Sequence, residues 1–190
     1  MFELYFKKVN EKIKLTTAEE ELCKGFFTQK KLRKRQYLLQ EGEVSKYYAF
    51  VVKGVLRSYT VNEKGSEHIL QFALEGWTIG DIYSFITGEP SKYNIDALED
   101  AELLLLSKPA QEEMLLRVPK IQQYYFLQMQ NAYVALQRRM TMTISQTAEE
   151  KYKTLLGTYP QIIQRVPQHM IASYLGVKPE TLSRIRRKNI

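Results

Sequence analysis

An α+β fold is predicted from three features of the sequence: a strand-rich middle, a long helical stripe after it, and a basic helical carboxy terminus. The middle is expected to form a barrel or a jelly roll (double-stranded β-helix), preceded by amino-terminal helices. The long helix and a carboxy-terminal helix-turn-helix should follow it. With 190 residues, 44% of them hydrophobic, the chain can build a real core, and two modest domains suit that length better than one large one.

Composition excludes several classes. A single cysteine, Cys23, cannot form an internal disulfide or hold an iron–sulfur cluster, and His68 and His169 are too few for the usual metal constellations. No metal is expected. Neither a Ser-His-Asp set nor a glycine-rich phosphate loop is evident, so no enzyme is expected either. No apolar run approaches the ~20 residues of a membrane-spanning helix. The opening "MFELYFKKVNEKIK" mixes charge where a signal peptide would be apolar. The expectation is a cytoplasmic protein with no membrane contact.

The elements follow in order. Residues 3–36 carry helical signals, and in "LTTAEEELCKGF" Thr17 and Glu20 have the spacing of a capping box. From about 37 to 108 the chain is dense in Val, Ile, Tyr and Phe, punctuated by Lys53-Gly54, Lys64-Gly65 and Glu75-Gly76. Short strands joined by tight turns are predicted there, with two more around Glu99-Asp100 in "NIDALEDAELLLLSK". Pro109 and Pro119 mark helix starts or breaks. Beyond them Phe126, Met129, Tyr133, Leu136, Met140 and Thr143 follow the three-four spacing of a coiled-coil seam. Such a stripe suits a second helix or the protein's own roll. Thr147 and Glu150 repeat the capping-box spacing, Gly157 and Pro160 end that helix, and Pro167 opens another.

In "VPQHMIASYLGVKPETLSRIRRK", Ile171, Ala172 and Leu175 share a helical face, Gly176 can take the left-handed conformation that ends a helix, and Pro179 presets the next. That pattern is a helix-turn-helix. Leu182 and Ile185 should face inward, with Glu180, Arg184 and Arg187 opposite. Residues 151–190 hold 8 Lys plus Arg against 1 Asp plus Glu, whereas residues 1–150 balance at 20 each, so the whole net +7 lies in the last forty residues. A surface for a polyanion is implied.

The chemistry suits double-stranded DNA. Arg184 has the fork that matches guanine O6 and N7, and Glu180, one turn earlier, can accept from the cytosine amino group. Thr181, Ser183, Arg186, Arg187 and Lys188 suit phosphate oxygens. The alternative for Glu180 and Arg184 is a surface ion pair at i, i+4. The run "KKLRKR" at 30–35 suits a solvated face before a strand, or an acidic partner or membrane surface.

The order of parts resembles the Crp/Fnr family of bacterial transcription regulators, whose amino-terminal domain has the cyclic-nucleotide-binding fold. "IASYLGVKPETLSR" carries the resemblance most specifically, with Glu180, Ser183 and Arg184 at the positions from which family members contact bases. "LLQEGEVSKYYAFVVKGVLR" and "GWTIGD" match the roll's strands and turns. The resemblance implies a cyclic-nucleotide-binding-like roll over 1–117, a dimerisation helix over 118–146 and a DNA-binding domain over 147–190. It also implies a homodimer on a palindromic site, with RNA polymerase a further partner if the protein activates.

Departures from the family pattern matter as well. Nucleotide-binding members have a Gly-Glu pair that holds the ribose and, about ten residues later, an Arg-Ser pair that takes the phosphate. Here Gly80-Asp81 and Ser91-Lys92 stand at those places, with Tyr83, Phe85 and Tyr93 nearby. Asp is shorter than Glu, and Lys92 is a point charge without a fork. Cyclic AMP is therefore not expected as a cofactor, and no other effector is named. The oxygen-sensing branch's cysteine cluster is missing, and haem ligation would rest on His68 alone. Lys178 stands where many members have a capping Ser or Thr, which favours a phosphate contact. Room for a wing around the helix-turn-helix is short. A cupin-like enzyme would need clustered histidines. A small-molecule sensor or protein-binding module without DNA reading would explain the roll but not the basic helices.

Overall fold

The computed structural model describes residues 1–188. Helices α1 (Phe2–Asn10) and α2 (Thr17–Lys24) come first. The capping box of α2 lies one residue earlier than predicted: Thr16 accepts from the Glu19 amide, and the Glu19 carboxylate accepts from Thr16 N–H at 2.7 Å. The cause is upstream. Asn10 accepts from the Leu15 amide and donates to the Glu20 carboxylate, so the chain arrives at Thr16 still extended and Glu20 is occupied.

Among the described residues eight strands follow: β1 (Phe27–Leu32), β2 (Tyr37–Leu39), β3 (Tyr47–Lys53), β4 (Leu56–Val61), β5 (Glu67–Ala73), β6 (Thr78–Ile79), β7 (Asn94–Ala97) and β8 (Ala101–Ser107). They form two antiparallel sheets in the orders β1-β8-β3-β6 and β2-β7-β4-β5, the strand order of a jelly roll. Val51, Leu56, Ile79, Ile95, Leu103 and Leu105 are among the side chains that fill its interior. The predicted turns at Gly54, Gly65 and Gly76 are present, each with positive φ.

Two elements differ from the sequence expectation. Residues 3–36 are not helical throughout, because 27–32 form β1, an edge strand paired only with β8. Thr28 to Lys31 are exposed, so no apolar alternation reveals the strand. Lys30 and Lys31 of the basic run thus lie on a sheet edge, where charge discourages pairing with other chains. Tyr83 and Phe85 lie on a short helix, α3 (Ile82–Thr87), and not on a strand, because Asp81 caps a helical turn there.

Five carboxy-terminal helices and one preceding them complete the described chain: α4 (Lys108–Arg117), α5 (Lys120–Ser145), α6 (Ala148–Thr158), α7 (Pro160–Arg165), α8 (Gln168–Leu175) and α9 (Pro179–Lys188). Ile121 and Tyr124 anchor the start of α5 among Tyr5, Phe6, Val9 and Met114. Helices α6 to α9 share a core with the outer face of β4 and β5, where Tyr59, Ile69, Phe72 and Leu74 meet Tyr152, Leu155, Ile162, Ile171, Leu175 and Leu182. The roll and the helical unit are therefore packed together.

At the β3–β4 turn Gly54 has φ +93°, and a Cβ added there would lie 2.7 Å from the Asp100 carbonyl oxygen and 2.9 Å from the Ala101 Cα. Gly42 has similar φ, +89°, with nothing within 4 Å. Gly54→Ala should therefore destabilise by roughly 2–4 kcal/mol, combining backbone strain with a clash, while Gly42→Ala should cost only about 1. Urea unfolding of both variants checks this; equal losses would mean that the turn at Asp100 yields freely.

Candidate nucleic-acid interface and ligand pocket

The helix-turn-helix is built from local rules. Pro167 precedes the first turn of α8, and Gly176, at φ +67°, ends it by donating to the carbonyls of Ala172 and Ser173. Val177 N–H returns to the Ala172 carbonyl at 3.0 Å, and Pro179 starts α9. Ala172 is fully buried, and Leu182 and Ile185 are buried on the inner face of α9. The outer face presents Glu180, Arg184, Arg187 and Lys188 to solvent, with Thr181, Ser183 and Arg186 half-buried beside them and Lys178 exposed just before. Glu180 and Arg184 are both exposed, one helical turn apart. Glu180 in the first turn and Arg186, Arg187 and Lys188 in the last complement the helix dipole. Where a wing was expected to be short, the six-residue α7 occupies the segment.

The helical unit is tied to the roll by polar contacts that sequence reasoning missed. Ser173 on α8 accepts from the Ile69 amide at 3.0 Å and donates to the Glu67 carbonyl at 2.9 Å, both on the edge strand β5. Arg139 on α5 donates to the carbonyls of Ile69 and Leu70 and lies over the Tyr174 ring, 4.3 Å from its centroid. Arg165, at the end of α7, forks onto Glu75 at 2.7 and 2.9 Å and onto Glu99 at 3.0 Å through Nε. Hydrogen bonds from that guanidinium hold the Glu75 carboxyl down to about 2, so it is ionised at neutral pH. These partners are 66 to 106 residues apart in the chain, which leaves no local signal.

At the suggested pocket, the structure brings Gly80, Asp81, Ser91 and the backbone of Tyr83 together. Asp81 is buried; its Oδ1 accepts from the amides of Tyr83 and Ser84 at 3.0 and 3.1 Å, and its Oδ2 accepts from Ser91 Oγ at 2.8 Å. A Cβ on Gly80 would lie 2.5 Å from the Tyr48 ring. The Tyr83 hydroxyl is exposed and donates to Glu89, and Lys92 is exposed. The first amides of α3 are thus capped by the chain's own carboxylate. Arg57, buried in the opposite sheet, is held by Asp96 at 2.8 and 3.0 Å, and by Glu67. It too is satisfied without a ligand.

The remaining candidates are quieter. His68 is exposed beside Asn62, and burial raises the Cys23 thiol to about 11, which makes it a poor nucleophile. No group of three His, Cys, Asp or Glu that could hold a metal occurs among the described residues. None of the described helices is long and apolar enough to cross a membrane. Along α5, Phe126, Met129, Tyr133, Leu136 and Met140 are 55% to 63% exposed, with Thr143 exposed on the same stripe and Ile144 beyond it at 82%. Within one chain nothing covers this stripe among the described residues.

The described chain is a jelly roll joined through a long helix to a helix-turn-helix. Residues 29–117 match the cyclic nucleotide-binding domain family. The chain is similar to the fumarate and nitrate reduction regulatory protein of Vibrio cholerae, 26% identical over 167 residues, covering 82% of this chain and 66% of that protein. It thus spans slightly less than two thirds of that relative's length. It also resembles regulatory protein HlyX of Actinobacillus pleuropneumoniae, 25% identical over 90% of this chain and 76% of that protein. Among solved structures, FixK2 from Bradyrhizobium japonicum shares the fold with a TM-score of 0.71 at 22% identity, covering 85% of this chain and 83% of that one. Residues 29–117 thus form a domain of the cyclic nucleotide-binding type, and the chain is similar over most of its length to proteins named as regulators.

Removing the Asp81 carboxylate should leave two helix amides and the Ser91 hydroxyl without their partner. Asp81→Ala is expected to cost about 1–3 kcal/mol in urea unfolding, and Asp81→Asn, which keeps an acceptor, less. An unchanged midpoint for Asp81→Ala would show that the internal carboxylate does not hold this turn.

Proposed function

We propose that the protein is a homodimeric, sequence-specific DNA-binding regulator that acts in the cytoplasm and needs no cyclic nucleotide. The exposed polar face of α9, set on the buried Leu182 and Ile185, is the observation that carries this reading. Glu180, Ser183 and Arg184 would read base edges, while Lys178, Thr181, Arg186, Arg187 and Lys188 would hold phosphates. Residues 1–117 would form the roll unit, 118–146 the dimerisation helix and 147–190 the DNA-binding unit. RNA polymerase would be the further partner of an activator. The Asp81–Ser91 bond supports the effector-free reading, because it pairs with each other the residues at the ribose and phosphate positions of the resembled cassette.

Selection from a random duplex pool by purified, ligand-free protein at moderate salt tests the whole proposal. A palindrome with half-sites about ten base pairs apart is the expected outcome. Binding without enrichment that vanishes as salt rises would refute specific reading. On the selected operator, Arg184→Ala should cost about 1–3 kcal/mol and relax preference at one base pair per half-site. Uniform weakening on all sequences would remove Arg184 from base reading.

The exposed α5 stripe supports a second copy of the chain as its partner, since matched apolar stripes bury each other in a parallel pair. Met129→Glu combined with Leu136→Glu should yield a monomer in sedimentation experiments. A double variant that sediments as a dimer would place the interface elsewhere.

A further inference from the structure

We infer that Arg165 is a positioning residue that locks the helix-turn-helix against the roll in one orientation without any bound effector. This rests on the DNA-binding reading and adds what sets the angle of the recognition helix. Arg165 lies two residues before Pro167, from which α8 starts, so its placement is passed directly to the helix-turn-helix. Its guanidinium grips two separate turns of the roll, Glu75 after β5 and Glu99 between β7 and β8. Glu75 is itself fixed, because its Oε1 accepts from Gly54 N–H at 2.8 Å, at the turn where only glycine fits. The side chains are between 27% and 35% exposed, so water screens the triad only in part.

Two further restraints act on the same strip of roll. Ser173 occupies both a donor and an acceptor of the β5 edge, and Arg139 takes the carbonyls of Ile69 and Leu70. An effector that reoriented α9 would have to break the Arg165 and Ser173 bonds and the Arg139–Tyr174 contact. Asp81 and Ser91, at the ribose and phosphate positions of the resembled cassette, already engage each other. The orientation is therefore preset by protein contacts, and operator affinity scales with the fraction of molecules in which the latch is closed.

The test uses the full chain, with Glu75→Gln and Glu99→Gln together to discharge the carboxylates while keeping their shape. Spin labels at Glu63→Cys and Thr154→Cys, both exposed positions, report the distance between the roll and the helical unit, in labelled protein diluted with unlabelled protein. Cys23 is buried and stays unlabelled. Expected are one narrow distance distribution in the otherwise native chain and a broad one in the Gln variant. Affinity for the selected operator should fall about tenfold, with nonspecific DNA binding unchanged. Arg165→Lys, a single charge without the fork, should fall between the two, and serves as the second variant if the double Gln protein does not fold. A narrow distribution in the discharged variant overturns the latch. A broad one with unchanged or higher operator affinity overturns the positioning role. If the native chain selects no operator, DNA reading fails while the distance measurement still decides the latch.

Discussion

The outer face of β4 and β5 carries Tyr59, Ile69, Phe72 and Leu74, and helices α6 to α9 cover it. Each such side chain is worth about 1.5–3 kcal/mol when removed from water. That burial makes the helix-turn-helix part of the same body as the roll instead of a tethered appendage. Phe72 meets the Tyr174 ring at 5.2 Å between centroids, and Trp77 meets Tyr159 at 4.9 Å. Apolar contact supplies the attraction but little direction. The hydrogen bonds of Ser173, Arg139 and Arg165 then select one geometry from the many that would bury a similar area.

The same logic explains why the roll keeps so many charges inside without evident need of a ligand. Arg57 is buried, yet Asp96, Glu67 and the Tyr59 ring occupy its faces. Asp81 is buried, yet it caps α3 and accepts from Ser91. A buried ionic group left without partners would cost several kcal/mol, so each site is closed by the chain's own groups. The residues at the ribose and phosphate positions of the resembled cassette, Asp81 and Ser91, here bond each other.

Helix α5 shows the opposite balance. Its first turns are buried among α1 and α4, and its later turns expose large apolar side chains to water. A stable free surface of that kind is unusual for a folded chain in water, and pairing with a like stripe removes it. The dimer reading and the fixed helix-turn-helix thus depend on different faces of neighbouring elements.

Much of this was legible in the sequence. The turns at Gly54, Gly65 and Gly76, the Thr147 capping box, the Gly176 turn and the inward Leu182 and Ile185 all follow from local chemistry, and so does the polar face of α9. Propensity, periodicity and positive φ act within a few residues, so one chain displays them. Local signals misplaced the α2 cap by one residue, because Asn10 reaches across the loop to decide it, and they missed β1, an exposed edge strand without alternation. Only the tertiary structure decided that Asp81 bonds Ser91, that Arg165 joins Glu75 to Glu99, and that Ser173 hooks the edge of β5. Each of those is a pairing between distant segments, set by how the roll closes, and an unpaired Arg or Ser in a sequence carries no mark of which partner it will meet.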